Sequence, residues 1–298
     1  MAIDIGGTKL AAGLVGPKAE LLVRDTIRTP RATDPDALFR VIADLVEICL
    51  GEAAALGSAV VACGVGTGGP MESCGERVSP LNIPAWRGFP LRERLEALAM
   101  LRGVPVVIDN DAKALALGEQ WAGAGRGVDD FLAMVVSTGI GGGIVLDGRL
   151  LDGRDGNAGH IGHVLVEPEG RPCACGARGC LEAEASGSAI ASITGSPAAD
   201  APSEIIERTG MLVGRAVASV ANLLDLRLAL VGGSVALGFG LGFFIAAQRE
   251  LDARARIDHA RGCRIEPAGL GEAGPLIGAA AVGWRQVGRL TPVPKFGV

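Results

Sequence analysis

The chain has 298 residues, which suggests about two domains, and its 49% hydrophobic and 20% charged content is enough to bury a sizeable core. A net charge of -5 without a basic run argues against a protein held by nucleic-acid phosphates, and the absence of Tyr with 3% aromatics argues against a base-stacking platform. Asp4 and Lys9 interrupt any secretory apolar run, and the glycine-broken stretch 228–247 does not read as a membrane span. Seven cysteines, three of them clustered, suit a reducing cytoplasm.

In chain order, residues 2–5 read as a short apolar strand. Gly6-Gly7-Thr8-Lys9 makes a turn, and Leu10–Val15 and Glu20–Thr29 read as two further strands. Asp34 caps a helix at about 35–56, with Leu38, Val41, Ile42, Leu45, Val46 and Cys49 in helical spacing. Ala59–Gly66 reads as a buried strand, 80–90 as a proline-rich loop, 91–101 as a helix, Val104–Ile108 as a strand and 111–122 as a helix. The pattern then restarts: Phe131–Ser137 is a strand, 138–143 a glycine turn and Ile144–Leu146 a second strand before the hairpin turn Asp147-Gly148. Helices at about 203–224 and 240–256 flank a strand at 227–231, and a last helix covers about 273–286. The tail after Leu290 reads as a surface extension. Strands alternating with helices predict an α/β protein of two related halves.

Three features carry chemistry. Cys173, Cys175, Cys180 and His163 supply the thiolate and imidazole set that Zn²⁺ takes in a closed tetrahedral site; the alternative is three unpaired thiols beside a surface His. Thr8 and Thr138 each sit at a strand end beside glycines whose N–H groups suit phosphate oxygens, with Asp4 just before the first turn. Gly232-Gly233, at a strand-to-helix switch, suits the nucleoside end of ATP. Neither P-loop nor dinucleotide spacing is present. Asp109-Asn110-Asp111 follows a strand and opens a helix, so it is either a helix cap or the carboxylate that a kinase uses to accept a hydroxyl proton. The third histidine, His259, reads as a solvated surface residue.

Asp4–Lys9, Asn110-Asp111-Ala112, Ser137–Gly142, Ala158–His163, the Cys173–Cys180 clip, Ser186-Gly187 and Gly274–Ala280 together resemble the ROK family of repressors, open reading frames and sugar kinases, over about 2–286. The resemblance implies two actin-like ATPase (ribonuclease-H-like) domains with a cleft between them and a zinc-clipped loop. The halves are expected at 1–110, completed by the helix at about 273–290, and at 111–272 with the zinc-binding segment 157–182. It further implies ATP and Mg²⁺ as cofactors with structural zinc, and a homodimer or homotetramer as the assembly.

By the same resemblance, Asp111 is the general base toward a sugar 6-hydroxyl. Asn82, Asn110, His160, His163 and Glu182 are its companions in sugar binding, and one ring nitrogen of His163 is on zinc. Asp4, Gly6, Gly7, Thr8, Lys9, Thr138, Gly139 and Gly141 resemble the phosphate side, and Gly232 and Gly233 the nucleoside contact. Family kinases most often carry Glu where this chain has His160. Neutral imidazole can donate a hydrogen bond to an acetamido carbonyl, which a carboxylate cannot. This His form resembles bacterial N-acetylmannosamine kinases, whereas drift within a glucokinase is the alternative. Some relatives also use polyphosphate as donor. With only three residues before Asp4, the DNA-binding domain of the family's repressors is not expected unless the chain is truncated.

Overall fold

The structure is a computed structural model and describes residues 1–30 and 33–290. The tail expected at the surface lies outside the described residues. In chain order the elements are β1 (Ala2–Ile5), β2 (Lys9–Val15), β3 (Leu21–Arg28), α1 (Pro35–Ala55), β4 (Cys63–Thr67), β5 (Met71–Glu72), β6 (Arg77–Val78), α2 (Leu91–Glu96), β7 (Val106–Asn110) and α3 (Asp111–Ala122). There follow β8 (Phe131–Val136), β9 (Ile140–Leu146), β10 (Arg149–Leu150), α4 (Leu181–Ala185), α5 (Gly187–Thr194), α6 (Ser203–Leu224), β11 (Leu228–Gly232), α7 (Ser234–Arg254), β12 (Arg264–Pro267) and α8 (Gly274–Gln286).

The backbone separates into two compact units. The first holds residues 1–127, 152–158 and 269 onward; the second holds 128–151 and 159–268. Thus α3 is part of the first unit, whereas the sequence reading opened the second domain at residue 111. The reason is packing: α3 lies on α8 through backbone contact, and a Cβ on Gly278 would come within 2.6 Å of the Ala114 carbonyl oxygen. Only paired small residues allow two helices to approach this closely.

Each unit is built on a five-stranded sheet with one topology. In the first unit the order is β3-β2-β1-β4-β7, with β1–β2 and β2–β3 antiparallel and β1–β4 and β4–β7 parallel. In the second it is β10-β9-β8-β11-β12, with the same two antiparallel and two parallel pairings. The restart at Phe131 is therefore a repeat of design. Asp147 and Gly148, at φ 51° and 70°, form the two-residue turn of the β9–β10 hairpin as expected, since both positions need a left-handed backbone.

Each sheet face is covered by apolar packing. Leu38, Ile42, Leu45, Val46 and Cys49 of α1 are buried against Ile3, Ile5, Leu10 and Val65. Leu132, Met134 and Val136 join Leu212, Val213, Ala216, Phe243 and Ala247 in the second core. In the first sheet β3 is an edge strand of eight residues, with Leu22 half exposed.

Several boundaries differ from expectation. The strand expected at 59–66 forms only at 63–67, because β1 begins at residue 2 and offers no partner further back. β9 starts at Ile140, so Gly141–Gly143 stand in the ladder opposite Ala133–Val135 and the turn shrinks to 137–139. α7 starts at Ser234 and passes a non-helical Gly240, where 240–256 was expected. His259 is half-buried and its Nε2 meets the Asn222 carbonyl oxygen at 3.1 Å, so it is not a solvated residue.

Replacing Gly278 by Val should cost roughly 1–3 kcal/mol of stability, because the side chain overpacks a backbone contact. Gly51→Ala, in α1 with open space around its Cβ position, should be neutral or gain about 0.4–1 kcal/mol. Chemical denaturation of the full chain measures both.

Candidate active site and metal cluster

In the first unit, the C-terminal ends of β1, β4 and β7 lie in register: Asp4 pairs with Gly66, and Gly66 with Asp109. The middle strand has no side chain at this level. A Cβ on Gly66 would lie 3.8 Å from Asp4 Oδ1 and 3.6 Å from the Asp111 Cα, so this glycine leaves the space in which the two acids face each other. Burial, and then the Asp111 charge, push the Asp4 carboxyl up to about 7, with Lys9 only partly offsetting them. A buried acid held this close to neutrality suits a site that a cation completes, so the residues fit Mg²⁺ beside a phosphate.

The chain opens α3 here because Asn110 caps it: its side chain accepts the Ala112 N–H at 3.0 Å, and Asp111 Oδ1 accepts the same group at 2.8 Å. Both readings of this tripeptide are compatible with that geometry, since capping by Asn110 still leaves Asp111 at the strand end. The turn Gly6–Lys9 is braced by Thr29, whose hydroxyl donates to the Gly6 carbonyl at 2.7 Å and whose N–H donates to the Thr8 carbonyl at 3.1 Å. Asn82 lies directly on this turn, so close that a Cβ on Gly7 would come within 2.8 Å of its side chain. Asp4, Gly6–Lys9, Asn82, Asn110 and Asp111 are thus arranged around the ends of one sheet.

Residues that sequence reasoning missed surround them. Lys113 is buried and its Nζ meets Asp109 and Asp152 at 2.9 Å each and the Gly156 carbonyl oxygen at 3.1 Å. Asn157 clamps the Met71 backbone by a pair of hydrogen bonds, at 3.0 Å and 2.9 Å. Together they hold segment 152–158 to the first unit. Thr67, fully buried between Ile5 and Asn110 in register, has a hydroxyl with no hydrogen-bond partner among the described residues. Burying a polar group without a partner is costly, so this hydroxyl is an exception to the usual pairing of buried polar atoms. A lone Thr or Lys carries no pattern, so no sequence signal could have found them.

In the second unit, the turn 137–139 between β8 and β9 is pinned from several sides. The Ser137 N–H donates to the Gly139 carbonyl at 2.9 Å, and the Ser137 and Ser234 hydroxyls are 2.9 Å apart. Gly232 stands level with Val135 at the end of β11. Gly233 follows at φ 96°, and a Cβ there would lie 2.4 Å from the Val136 carbonyl oxygen. Both the backbone angle and the space demand glycine. Thr138, Gly139, Gly232 and Gly233 are therefore neighbours, while Gly141 lies in the strand beyond the turn.

The candidate metal ligands are also in this unit. One ligand atom each from His163, Cys173, Cys175 and Cys180 lies within 4.8 Å of the other three. Cys173 Sγ to His163 Nδ1 and Cys175 Sγ to Cys180 Sγ are both 3.7 Å. Zn–S bonds of about 2.3 Å in a tetrahedron give an edge of about 3.8 Å, so spacing and donor chemistry fit zinc. Burial, followed by the neighbouring sulfurs, pushes the Cys180 thiol up to about 12 in the absence of a cation. His160 is near: the two imidazole centroids are 6.1 Å apart. Glu182, in the first turn of α4, accepts the Ile140 N–H at 2.8 Å.

Glu184, also missed, is buried and anchors the metal loop to α6. It accepts the Arg171 N–H and meets the Arg171 and Arg208 guanidinium groups. Burial alone would raise its pKa, but these donors outweigh it and hold the carboxyl below its usual range.

Because folding raises the Asp4 pKa, the cation-free chain holds an extra proton between about pH 4 and pH 7, and stability falls as pH rises through that window. Thermal unfolding followed across this range should show Asp4→Asn losing that slope relative to the unsubstituted chain. Parallel curves would show that Asp4 ionises normally.

The ROK family profile matches residues 1–286. An N-acetylmannosamine kinase of Citrobacter koseri is 39% identical over 255 residues, 80% of this chain and 84% of that protein. A glucokinase of Thermotoga maritima is 42% identical over 193 residues, 64% of this chain and 58% of that protein. The crystal structure of a ROK family glucokinase from Streptomyces griseus, in complex with glucose and AMPPNP, superposes with a TM-score of 0.81 at 31% identity, covering 96% of this chain and 98% of that one. The repeated sheet, the glycine turns at its strand ends and this likeness over nearly the whole length agree: the chain belongs to the ROK family, as a phosphotransferase of the sugar-kinase type.

Proposed function

We propose that the protein transfers the terminal phosphoryl group of ATP to the 6-hydroxyl of N-acetylmannosamine. The observation that carries this choice of sugar is His160, placed beside His163 with ring centroids 6.1 Å apart. A neutral imidazole donates to an acetamido carbonyl, whereas the Glu usual among family kinases only accepts. The likeness to N-acetylmannosamine kinases supports the same reading. Glucose is the second reading, favoured by the likeness to glucokinases.

In this reading Asp111 accepts the proton of the attacking hydroxyl, and Asn82 and Asn110 orient the sugar. His160, Glu182 and the Nε2 of His163, whose Nδ1 is directed at Cys173, are further sugar contacts. Gly6–Lys9 and Thr138–Gly141 direct N–H groups and hydroxyls at phosphate oxygens, with Gly232 and Gly233 at the nucleoside. Mg²⁺, held on the Asp4 side, supplies the positive charge that phosphoryl transfer requires. Zinc on His163, Cys173, Cys175 and Cys180 holds the sugar-binding loop and takes no part in the chemistry. The protein works in the cytoplasm as a homodimer or homotetramer.

ADP release from ATP-Mg²⁺ with N-acetylmannosamine, N-acetylglucosamine, glucose and mannose tests the substrate. N-acetylmannosamine should be preferred, and Asp111→Asn should abolish turnover while sparing sugar affinity. Preference for glucose would make His160 incidental and the protein a glucokinase. Metal analysis should find one zinc per chain, and its removal should weaken sugar binding and lower the unfolding temperature together. Retained sugar affinity in verified metal-free protein would refute the role given to the clip.

A further inference from the structure

The Glu182 carboxylate is engaged on one side. Its Oε2 accepts the N–H of Ile140, the residue that closes the turn carrying Thr138 and Gly139. The approach is tight: a Cβ on Gly139 would come within 2.9 Å of the same oxygen. The other peptide groups of the turn are held from the adjacent helical junction. The Gly187 N–H donates to the Ser137 carbonyl at 2.7 Å, and the Ser188 N–H and hydroxyl donate to the Thr138 carbonyl at 3.2 Å and 2.9 Å. Gly162, next to His163, packs so closely on the turn that a Cβ there would lie 2.2 Å from the Ile140 carbonyl oxygen. The segment that carries the candidate metal ligands thus bonds the Ile140 N–H and packs tightly against its carbonyl.

A carboxylate has acceptor sites on two oxygens, and one backbone bond leaves the other oxygen for a second donor. Charged acceptors also bind a backbone N–H more strongly than neutral ones. We propose that Glu182 is a positioning residue for the phosphoryl-donor turn as well as a sugar contact, so that sugar and nucleotide binding are energetically coupled through this one side chain. The inference rests on the reading above of Thr138–Gly141 as a phosphate contact and of Glu182 as a sugar contact. A hydroxyl donating to Oε1 fixes the Glu182 rotamer, and with it the direction of the Ile140 N–H. A phosphate on the turn fixes Ile140, and through it Glu182. Linkage makes the two effects equal in size.

The test is calorimetric titration of the full chain with a non-hydrolysable ATP analogue and Mg²⁺, without sugar and with saturating concentrations of the preferred sugar. Glu182→Ala should weaken sugar-free nucleotide binding about fivefold or more and abolish the affinity gain produced by sugar. Glu182→Asp, which keeps the charge but shortens the reach by one methylene, should show the same loss in a variant that keeps the fold. Glu182→Gln retains an amide oxygen for the Ile140 N–H, so its sugar-free nucleotide affinity should stay near that of the unsubstituted chain while its sugar affinity falls. Unchanged sugar-free affinity in the Ala and Asp variants, or equal loss in all three, overturns the proposal. Thr138→Val separates the two levels. If it weakens nucleotide binding while Glu182→Ala does not, the phosphate contact stands and the coupling falls. If neither changes it, the turn is not a nucleotide contact and both readings fall.

Discussion

A turn can present bare amides to a ligand only if other bonds keep its peptide planes still. In the second unit most of those bonds come from one short stretch, in which Glu182, Gly187 and Ser188 hold residues 137–140, while Ser234 at the start of α7 meets the Ser137 hydroxyl. That stretch begins next to Cys180, which precedes α4, and is held underneath by Glu184 with Arg171 and Arg208. The path from metal cluster to turn is therefore a handful of residues long and bonded throughout. Preorganisation of this kind is what electrostatic catalysis depends on, because dipoles already aimed need no rearrangement during reaction.

The first unit meets a different constraint, the crowding of acids. Gly66 between Asp4 and Asp111 has no side chain, and burial first, then the Asp111 charge, raise the Asp4 carboxyl. Asp109 is spared the same crowding by Lys113, which it meets at 2.9 Å. Burial raises the Asp109 carboxyl as it does Asp4, but Lys113 offsets part of that cost at Asp109, whereas at Asp4 the Asp111 charge adds to it.

The α/β class, the repeat and most long elements were legible in the chain, because α1, α3 and α6 show helical spacing and β1, β2 and β8 are apolar runs at glycine turns. The cysteine clip was legible for the same local reason, since its ligands lie within eighteen residues of one another. What was illegible depends on distant contacts. Assigning α3 to the first unit depends on Gly118 and Gly278, 160 positions apart, meeting as bare backbones. The Lys113 network joins α3 to a segment some forty residues on, and β12 and the two short strands β5 and β6 are too brief to show a period. Gly141 was placed in a turn because glycine runs read as loops, whereas here the run Gly141–Gly143 is strand.

The two sheets differ at one edge. In the second unit the antiparallel side ends in β10, two residues long, which offers almost nothing for another chain to pair with. In the first unit it ends in β3, eight residues long, with a row of backbone groups facing outward. Arg24, Asp25 and Arg28 lie along that strand, and such charges are what keep an open edge from templating a neighbour. Arg28 stands opposite Lys9 at the glycine turn, whereas Arg24 and Asp25 lie further along the strand, so the charges that guard this edge lie on the strand that leads into Thr29, the residue that braces the turn.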